Sequence, residues 1–239
     1  MKITILHGSP RKGNTYKITQ TFVQEMQKHG EVTFQEFFLP QDMPEFCRGC
    51  FTCIVKDENA CPHARYIQPI LHAMLEADGL IFTTPVYVMS ASGGMKAFLD
   101  HFGFLFYVHR PRPEMFHKKA FILSTTAGAG IKPAMNTIAT SLKYWGVNRV
   151  YRRGFVMHEI QWEKMPDKKR NRYENSLRSD AEKFYRALAA KKDRIPYFHT
   201  RFMVCMIRQF LKRMPDDSVD KQYWKQHGWL DGKSPLFPK

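Results

Sequence analysis

Apolar positions along the chain fall into blocks of different period. Residues 2–7 (KITILH) form a short, mostly apolar run that stops at Gly8 and reads as a strand. Over 14–28 the period lengthens: Ile18, Phe22 and Met26 recur every fourth residue with Val23 beside them, which predicts a helix with one buried face. The Val- and Phe-rich stretch 32–38 predicts a second strand. Residues 39–63, with Pro40, Pro44 and Pro62, show no period and predict an irregular segment. Ile70, Leu71, Met74 and Leu75 place a helix over 68–77, with Pro69 in its first turn, where proline is tolerated. The runs 79–84 (GLIFTT) and 119–125 (KAFILST) have the short apolar form of strands buried on both faces. Between them, 92–107 begins helical and turns aromatic and irregular. A helix over 131–145 and a strand over 147–157 follow. Tyr173, Leu177, Ala181, Phe184 and Leu188 then carry a helix over 171–190, which Pro196 ends at the latest.

Strands and helices that alternate in this way predict an α/β fold, a parallel sheet with helices on both faces. The repeating unit spans residues 1–192, and residues 193–239 form a C-terminal helical or irregular extension. Within the extension FMVCMIRQFL (202–211), flanked by Arg201, Lys212 and Arg213, is largely apolar. Packing on the core or on a sister subunit is its expected role, with adsorption to an anionic surface as the lesser reading. Tyr223, Trp224, Trp229 and Leu230 are too aromatic for a free tail and are expected to dock.

A chain of 239 residues with 44% hydrophobic and 25% charged residues is ordinary for one globular domain plus an appendage, and bulk disorder is excluded. No run approaches the roughly 18 apolar residues of a membrane span. The N-terminus lacks the apolar run and small-residue cleavage site of a secretory signal, so a cytoplasmic protein without structural disulfides is expected. The net charge of +15 is uneven: residues 1–100 carry 9 basic and 10 acidic residues, residues 151–239 carry 21 and 11. Such a basic half suits polyanions. No zinc finger, RNP signature or helix-turn-helix accompanies it, so nucleic acid is not an expected partner, and a solvated basic face is the plainer reading.

The chemistry concentrates in two places. Gly8-Ser9-Pro10-Arg11-Lys12-Gly13-Asn14-Thr15 lies between the first strand and the first helix. An open α/β sheet binds ligands at such a strand end, and a helix N-terminus there favours phosphate. Ser9, Asn14 and Thr15 offer donors, Arg11 a positive fork, and Gly13 close backbone approach. Neither a Walker loop nor GxGxxG is present; the plainer alternative is a turn in which Asn14 or Thr15 caps the helix.

GSPRKGNT after a short first strand resembles the phosphate loop of flavodoxin-like NAD(P)H-dependent FMN oxidoreductases. Thr84-Pro85-Val86-Tyr87 after the third strand, the run from Ser90 to Asp100 with Lys96, Phe98 and Asp100, and Ser124-Thr125-Thr126-Ala127-Gly128-Ala129-Gly130 after the fourth strand resemble further segments of that family. The resemblance covers about residues 1–150. It implies a flavodoxin-like fold, a five-stranded parallel sheet of order 2-1-3-4-5, with FMN across its switch point. It also implies a cofactor site of Ser9, Arg11, Gly13, Asn14, Thr15, Pro85, Val86, Tyr87, Thr125, Thr126 and Gly128. Tyr87 read alone is equally a core or interface aromatic, and Lys96 a surface charge. The cofactor supplies the redox chemistry, so no side chain is nominated as catalytic.

Cys47-x2-Cys50-x2-Cys53-x7-Cys61-Pro62 puts four of the five cysteines within one short segment. The spacing is close to a bacterial iron–sulfur run, although the last gap is longer. It resembles the compact motif of iron–sulfur flavoproteins, a branch of the same group in which four such cysteines hold a [4Fe–4S] cluster. A cluster, a zinc site and free redox-active thiols all remain open for these four residues. Cys205 reads as a core residue.

The function these readings imply is an FMN-dependent oxidoreductase, with NAD(P)H or a reduced protein as donor and an acidic electron-acceptor protein as a candidate partner. The resemblance further implies a homodimer or other homo-oligomer. A flavodoxin-like electron carrier acting only with proteins and a non-enzymatic polyanion-binding module are the alternatives.

Overall fold

The computed structural model describes residues 1–159, 162–190 and 198–232. The strands are β1 (Lys2–His7), β2 (Thr33–Phe38), β3 (Gly79–Tyr87), β4 (Ser90–Ala91), β5 (Lys119–Thr126) and β6 (Arg149–Val156). Five of them lie parallel in the order β2-β1-β3-β5-β6; the two-residue β4 folds back antiparallel on the end of β3. Counting only the parallel strands, this is the expected 2-1-3-4-5 order. Ile5 sits opposite Glu36 on one side and Ile81 on the other. β1, β3 and β5 are buried along most of their length, as their continuous apolar runs require, whereas the edge strands β2 and β6 are only partly covered.

The helices are α1 (Asn14–Gln27), α2 (Thr52–Val55), α3 (Ala64–Glu76), α4 (Gly93–His101), α5 (Pro113–His117), α6 (Ile131–Tyr144), α7 (Asp167–Ala189), α8 (Phe198–Arg213) and α9 (Val219–Gln226). On one face of the sheet, Ile18, Phe22 and Met26 of α1 and Leu177 and Phe184 of α7 close over Ile3, Ile5, Ile81 and Phe121. On the other, Ile70 and Met74 of α3, Phe98 of α4 and Leu142 of α6 cover Leu6, Leu80, Phe82 and Ile122. Each such fully buried side chain is worth about 1.5–3 kcal/mol. That burial carries α3 through a proline. The helix starts at Ala64 rather than at 68, so Pro69 lies inside it rather than in its first turn. A proline there removes one backbone hydrogen bond at a cost of ~3 kcal/mol, which the buried Ile67, Ile70, Leu71 and Met74 offset.

Other elements also depart from the sequence expectation. The segment 39–63 is irregular except for α2 and a 3₁₀ turn at Glu58–Ala60, whose start is capped by the Asp57 carboxylate accepting from the Asn59 N–H at 2.6 Å. α7 begins at Asp167, four residues early, and ends at Ala189. The expected unit boundary at 192/193 and the expected latest helix end at Pro196 lie outside the described residues.

The C-terminal helices do dock. Val204, Ile207 and Leu211 of α8, with Trp224, Trp229 and Leu230, form a third cluster around Tyr107 and Phe116. α8 buries only that face: Phe202, Met206 and Phe210 are exposed. Cys205 is exposed as well, contrary to the core assignment, because it stands about 100° around the helix from Val204. Among the described residues no helix is long and apolar enough to cross a membrane.

Candidate functional site

The chain turns from β1 to β2 on one side and later to β3 on the other, so a crevice opens between the carboxyl ends of β1 and β3. The loop after β1 is held there closely. The Gly8 N–H donates to Thr83 O at 2.7 Å, and the Ser92 hydroxyl donates to Gly8 O. Ser92 also caps α4, while its own N–H donates to Thr84 Oγ1 at 3.0 Å. The two strand-end loops are thus joined through buried polar groups. The third joins by Thr15 Oγ1 and Thr125 Oγ1, 2.6 Å apart.

These loops enclose a cleft of about 230 Å³. Ser9, Arg11, Gly13, Asn14, Thr15, Pro85, Val86, Tyr87, Thr125 and Thr126 all line it. Gly128 does not: it is exposed beyond the rim, its N–H donating to Thr126 Oγ1 at 3.2 Å. The end of α1 that faces the cleft is open to an anion. Its N-cap is Gly13, with no side-chain capping bond, and no acidic residue occupies the first turn. The capping role considered for Asn14 or Thr15 is therefore not seen. The Asn14 amide instead donates to Glu159 O at 2.8 Å and the Thr15 hydroxyl is paired with Thr125, which leaves Ser9, Arg11 and the backbone as the donors lining the cleft. Lys96 lies on the α4 surface, ion-paired to Asp100.

Ala127, of the small-residue loop matched after β5, also lines the cleft, as do three residues that were not foreseen, Met157, His158 and Glu159. The last three follow β6. Any loop leaving the carboxyl end of a strand in this sheet borders the same crevice, and that topological signal was available. The β3–β4 hairpin was missed as well. Its turn residues Val88 and Met89 both have positive φ, at 45° and 62°, a conformation that Asn-Gly turns usually announce. Tyr87, Val88 and Met89 are left exposed at the cleft rim.

The four clustered cysteines line a second pocket with Arg48, Phe51, Pro62, His63 and His101. Cys53 and Cys61 are half-buried, Cys47 and Cys50 exposed. Burial pushes the Cys53 thiol up, and Cys61, Cys47 and Cys50 add to it; burial raises Cys61 too, with Cys50 and Cys47 adding to it. Cys50 moves down, because the Thr52 hydroxyl donates to its sulfur at 3.3 Å. The four thiols thus lie within one another's electrostatic range. Among the described residues, however, no three His, Cys, Asp or Glu side chains are arranged to hold a metal ion. The loop is pinned from behind by a buried network. Arg110 donates to Cys53 O, to Ile54 O at 3.3 Å, to Glu58 at 3.0 Å and to Asp220 of α9 at 2.7 Å, while Arg112 also holds Glu58.

The family model for NADPH-dependent FMN reductase matches residues 1–161, which run from β1 past β6 and include every residue of the cleft. The chain belongs to this family. It is an FMN oxidoreductase by that membership. An iron–sulfur flavoprotein of Archaeoglobus fulgidus is 26% identical over 236 residues, 96% of this chain and all of the relative. One from Methanosarcina thermophila is 30% identical over 132 residues, 55% of this chain and 62% of the relative. Among solved structures, an NAD(P)H:quinone oxidoreductase from Methanothermobacter marburgensis superposes with a TM-score of 0.57 at 17% identity, covering 76% of this chain and 95% of that one. An FMN-dependent NADH-azoreductase from Bacillus anthracis in complex with FMN gives 0.58 at 8% identity, covering 77% and 100%. These likenesses establish the flavodoxin-like fold.

The family's cofactor fits the residues present. The uncapped α1 end, with Arg11 beside it, suits a phosphate, and the small or stiff residues of the other two loops leave room for a flat ring. The cysteine pocket offers by its chemistry the four sulfur donors that a thiolate-bound group needs, but among the described residues they are not gathered around one point.

Proposed function

We propose that this FMN oxidoreductase takes its electrons from NADPH and passes them through a [4Fe–4S] cluster on Cys47, Cys50, Cys53 and Cys61 to a one-electron acceptor. The observation that carries the flavin half is the convergence of the loops after β1, β3 and β5 on one cleft at the switch point. FMN accepts a hydride equivalent and releases electrons singly, which a four-iron cluster can relay. The α1 amides, Ser9, Arg11 and Thr15 bind the phosphate. Pro85, Val86 and Tyr87 would hold the ring edge by backbone contacts, and Thr125 and Thr126 would support it from the third loop. For the cysteines, the relatives named iron–sulfur flavoproteins and the four-sulfur pocket wall support the cluster over zinc or free thiols.

The exposed Tyr87–Val88–Met89 tip supports a second subunit completing the cleft wall. An acidic acceptor protein fits the basic second half of the chain.

The test is anaerobic stopped-flow mixing of the FMN- and iron-loaded protein with NADPH. We expect bleaching of the flavin band near roughly 450 nm, followed by slower bleaching of broad absorption around 400 nm. A flavin that stays oxidised with NADPH yet is reduced by a protein donor would make the molecule a carrier. Four Cys→Ser variants that keep the same iron content would remove the cluster from the proposal.

A further inference from the structure

A second cavity adjoins the flavin cleft, sharing His158 with it. It measures about 430 Å³ and is lined by Arg153, Gly154, Phe155, Val156, Lys169, Arg172, Tyr173 and Ser176. None of these residues has a part in holding FMN. Its size lies within the usual range for a site that takes an organic ligand, beyond what a lone ion needs.

The walls are cationic and built on a rigid base. Tyr173 is buried and its hydroxyl donates to Val156 O at 2.8 Å, which fixes the ring at the edge of β6. Lys169 and Arg172, one helical turn apart on α7, both lie over that ring, at 5.7 and 5.6 Å from its centre. Lys169 also donates to Met157 O at 3.1 Å, and Met157 lines the flavin cleft. The cationic shelf is thereby tied directly to the flavin wall. The nearby carboxylates are engaged, one with Arg153 of the cavity wall and two with cations outside the cavity. Asp180 accepts both arms of Arg153 at 2.5 and 2.9 Å, Glu163 pairs with Lys17, and Asp167 with Arg170. Glu159 lines the neighbouring flavin cleft and not this cavity. Arg172 is exposed and makes no ion pair to any of these acids.

We propose that this cavity receives the adenosine end of NADPH, with Arg172 and Lys169 gripping the 2′-phosphate that distinguishes NADPH from NADH. The assignment rests on the donor proposed above and names the residues that select it. A dianionic phosphate accepts charge-assisted hydrogen bonds from a guanidinium, whereas the 2′-hydroxyl of NADH offers no charge for it to meet. His158, shared by the two cavities, marks where the nicotinamide end would pass into the flavin cleft.

Calorimetric titration of the FMN-loaded protein with adenosine 2′,5′-bisphosphate tests the site without turnover, with adenosine 5′-monophosphate as the control. We expect the bisphosphate to bind at least ~10-fold more tightly than the control, and that preference to vanish in Arg172→Glu and persist in part in Arg172→Lys. Kinetically, Arg172→Glu raises KM for NADPH by about 10-fold or more and leaves NADH within about twofold. No bisphosphate binding, equal binding of the two nucleotides, or an Arg172→Glu variant that still prefers the bisphosphate would overturn the assignment. A flavin that NADPH fails to reduce, in a protein that nonetheless prefers the bisphosphate, would overturn the donor and leave the phosphate site standing.

Discussion

Gly8→Ala is expected to strip the protein of FMN. A methyl at this position would stand 2.8 Å from Thr83 O and 2.8 Å from Ser92 Oγ, with Met95 Cβ at 3.2 Å. Thr83 O is main chain of a central strand and cannot move aside, and Ser92 is committed to the α4 cap. The loop from Gly8 to Thr15 must therefore lift away from β3, which separates the α1 amides from the residues after β3 that would meet the same ligand. Overpacking of this kind costs about 1–3 kcal/mol of stability. The effect on the cofactor is expected to exceed that on the fold, because the displaced segment is the proposed phosphate loop. FMN affinity is expected to fall by at least ~100-fold, measured by quenching of flavin fluorescence, while the far-UV circular dichroism stays native. Gly128→Ala serves as the control, since a Cβ there meets nothing within 4 Å. Wild-type FMN affinity in Gly8→Ala would show that the loop does not depend on its close seat against β3.

Arg110→Met is expected to be the most destabilising single change in the cysteine region. Arg110 is 3% exposed and Glu58 6%, so removing the guanidinium leaves a buried carboxylate with only Arg112 as partner and strips Asp220 of an ion pair. Breaking a buried pair from one side costs about 3–5 kcal/mol, or roughly 10 °C in Tm for a chain of this size. Removing the carboxylate too should recover part of the loss: Arg110→Met with Glu58→Gln is expected to melt above Arg110→Met alone. The same change frees the carbonyls of Cys53 and Ile54, so iron bound per chain should drop, read by colorimetric iron assay after anaerobic reconstitution. An Arg110→Met protein with unchanged Tm and iron content would mean that the network behind the loop is incidental.

The network also explains why the C-terminal helices dock where they do. Asp220 of α9 meets Arg110, the Trp224 indole N–H donates to His109 O at 2.8 Å, and the Tyr223 hydroxyl donates to Pro111 O at 2.8 Å. The aromatic residues at 223–230 announced docking in the sequence; the address could not be read there, because it is set by Arg110 and by main-chain carbonyls distant in sequence.

The central strands were legible because a strand covered on both faces needs a nearly continuous apolar run, and Ile3–Leu6 (interrupted only by Thr4), Leu80–Phe82 and Ala120–Leu123 supply it. The loop at Gly8–Thr15 was legible because glycine, proline and small donors crowd one strand end. What escaped was set by neighbours distant in sequence. Met157, His158 and Glu159 reach the cleft only because β6 pairs with β5. Pro69 suggested a helix start, and burial of Ile67 to Met74 overrode it. Cys205 carried an apolar context, but the side of α8 that faces Tyr107 was fixed by Val204, Ile207 and Leu211, which left the thiol outside.

The central claim is that the glycine–serine loop after β1 is the phosphate anchor of a bound flavin. Parallel titrations of the apoprotein with FMN and with riboflavin, which differ only by that phosphate, test it most directly. The account predicts FMN bound at least ~100-fold more tightly, a gap that shrinks markedly in Arg11→Ala. Equal affinity for the two flavins would contradict it.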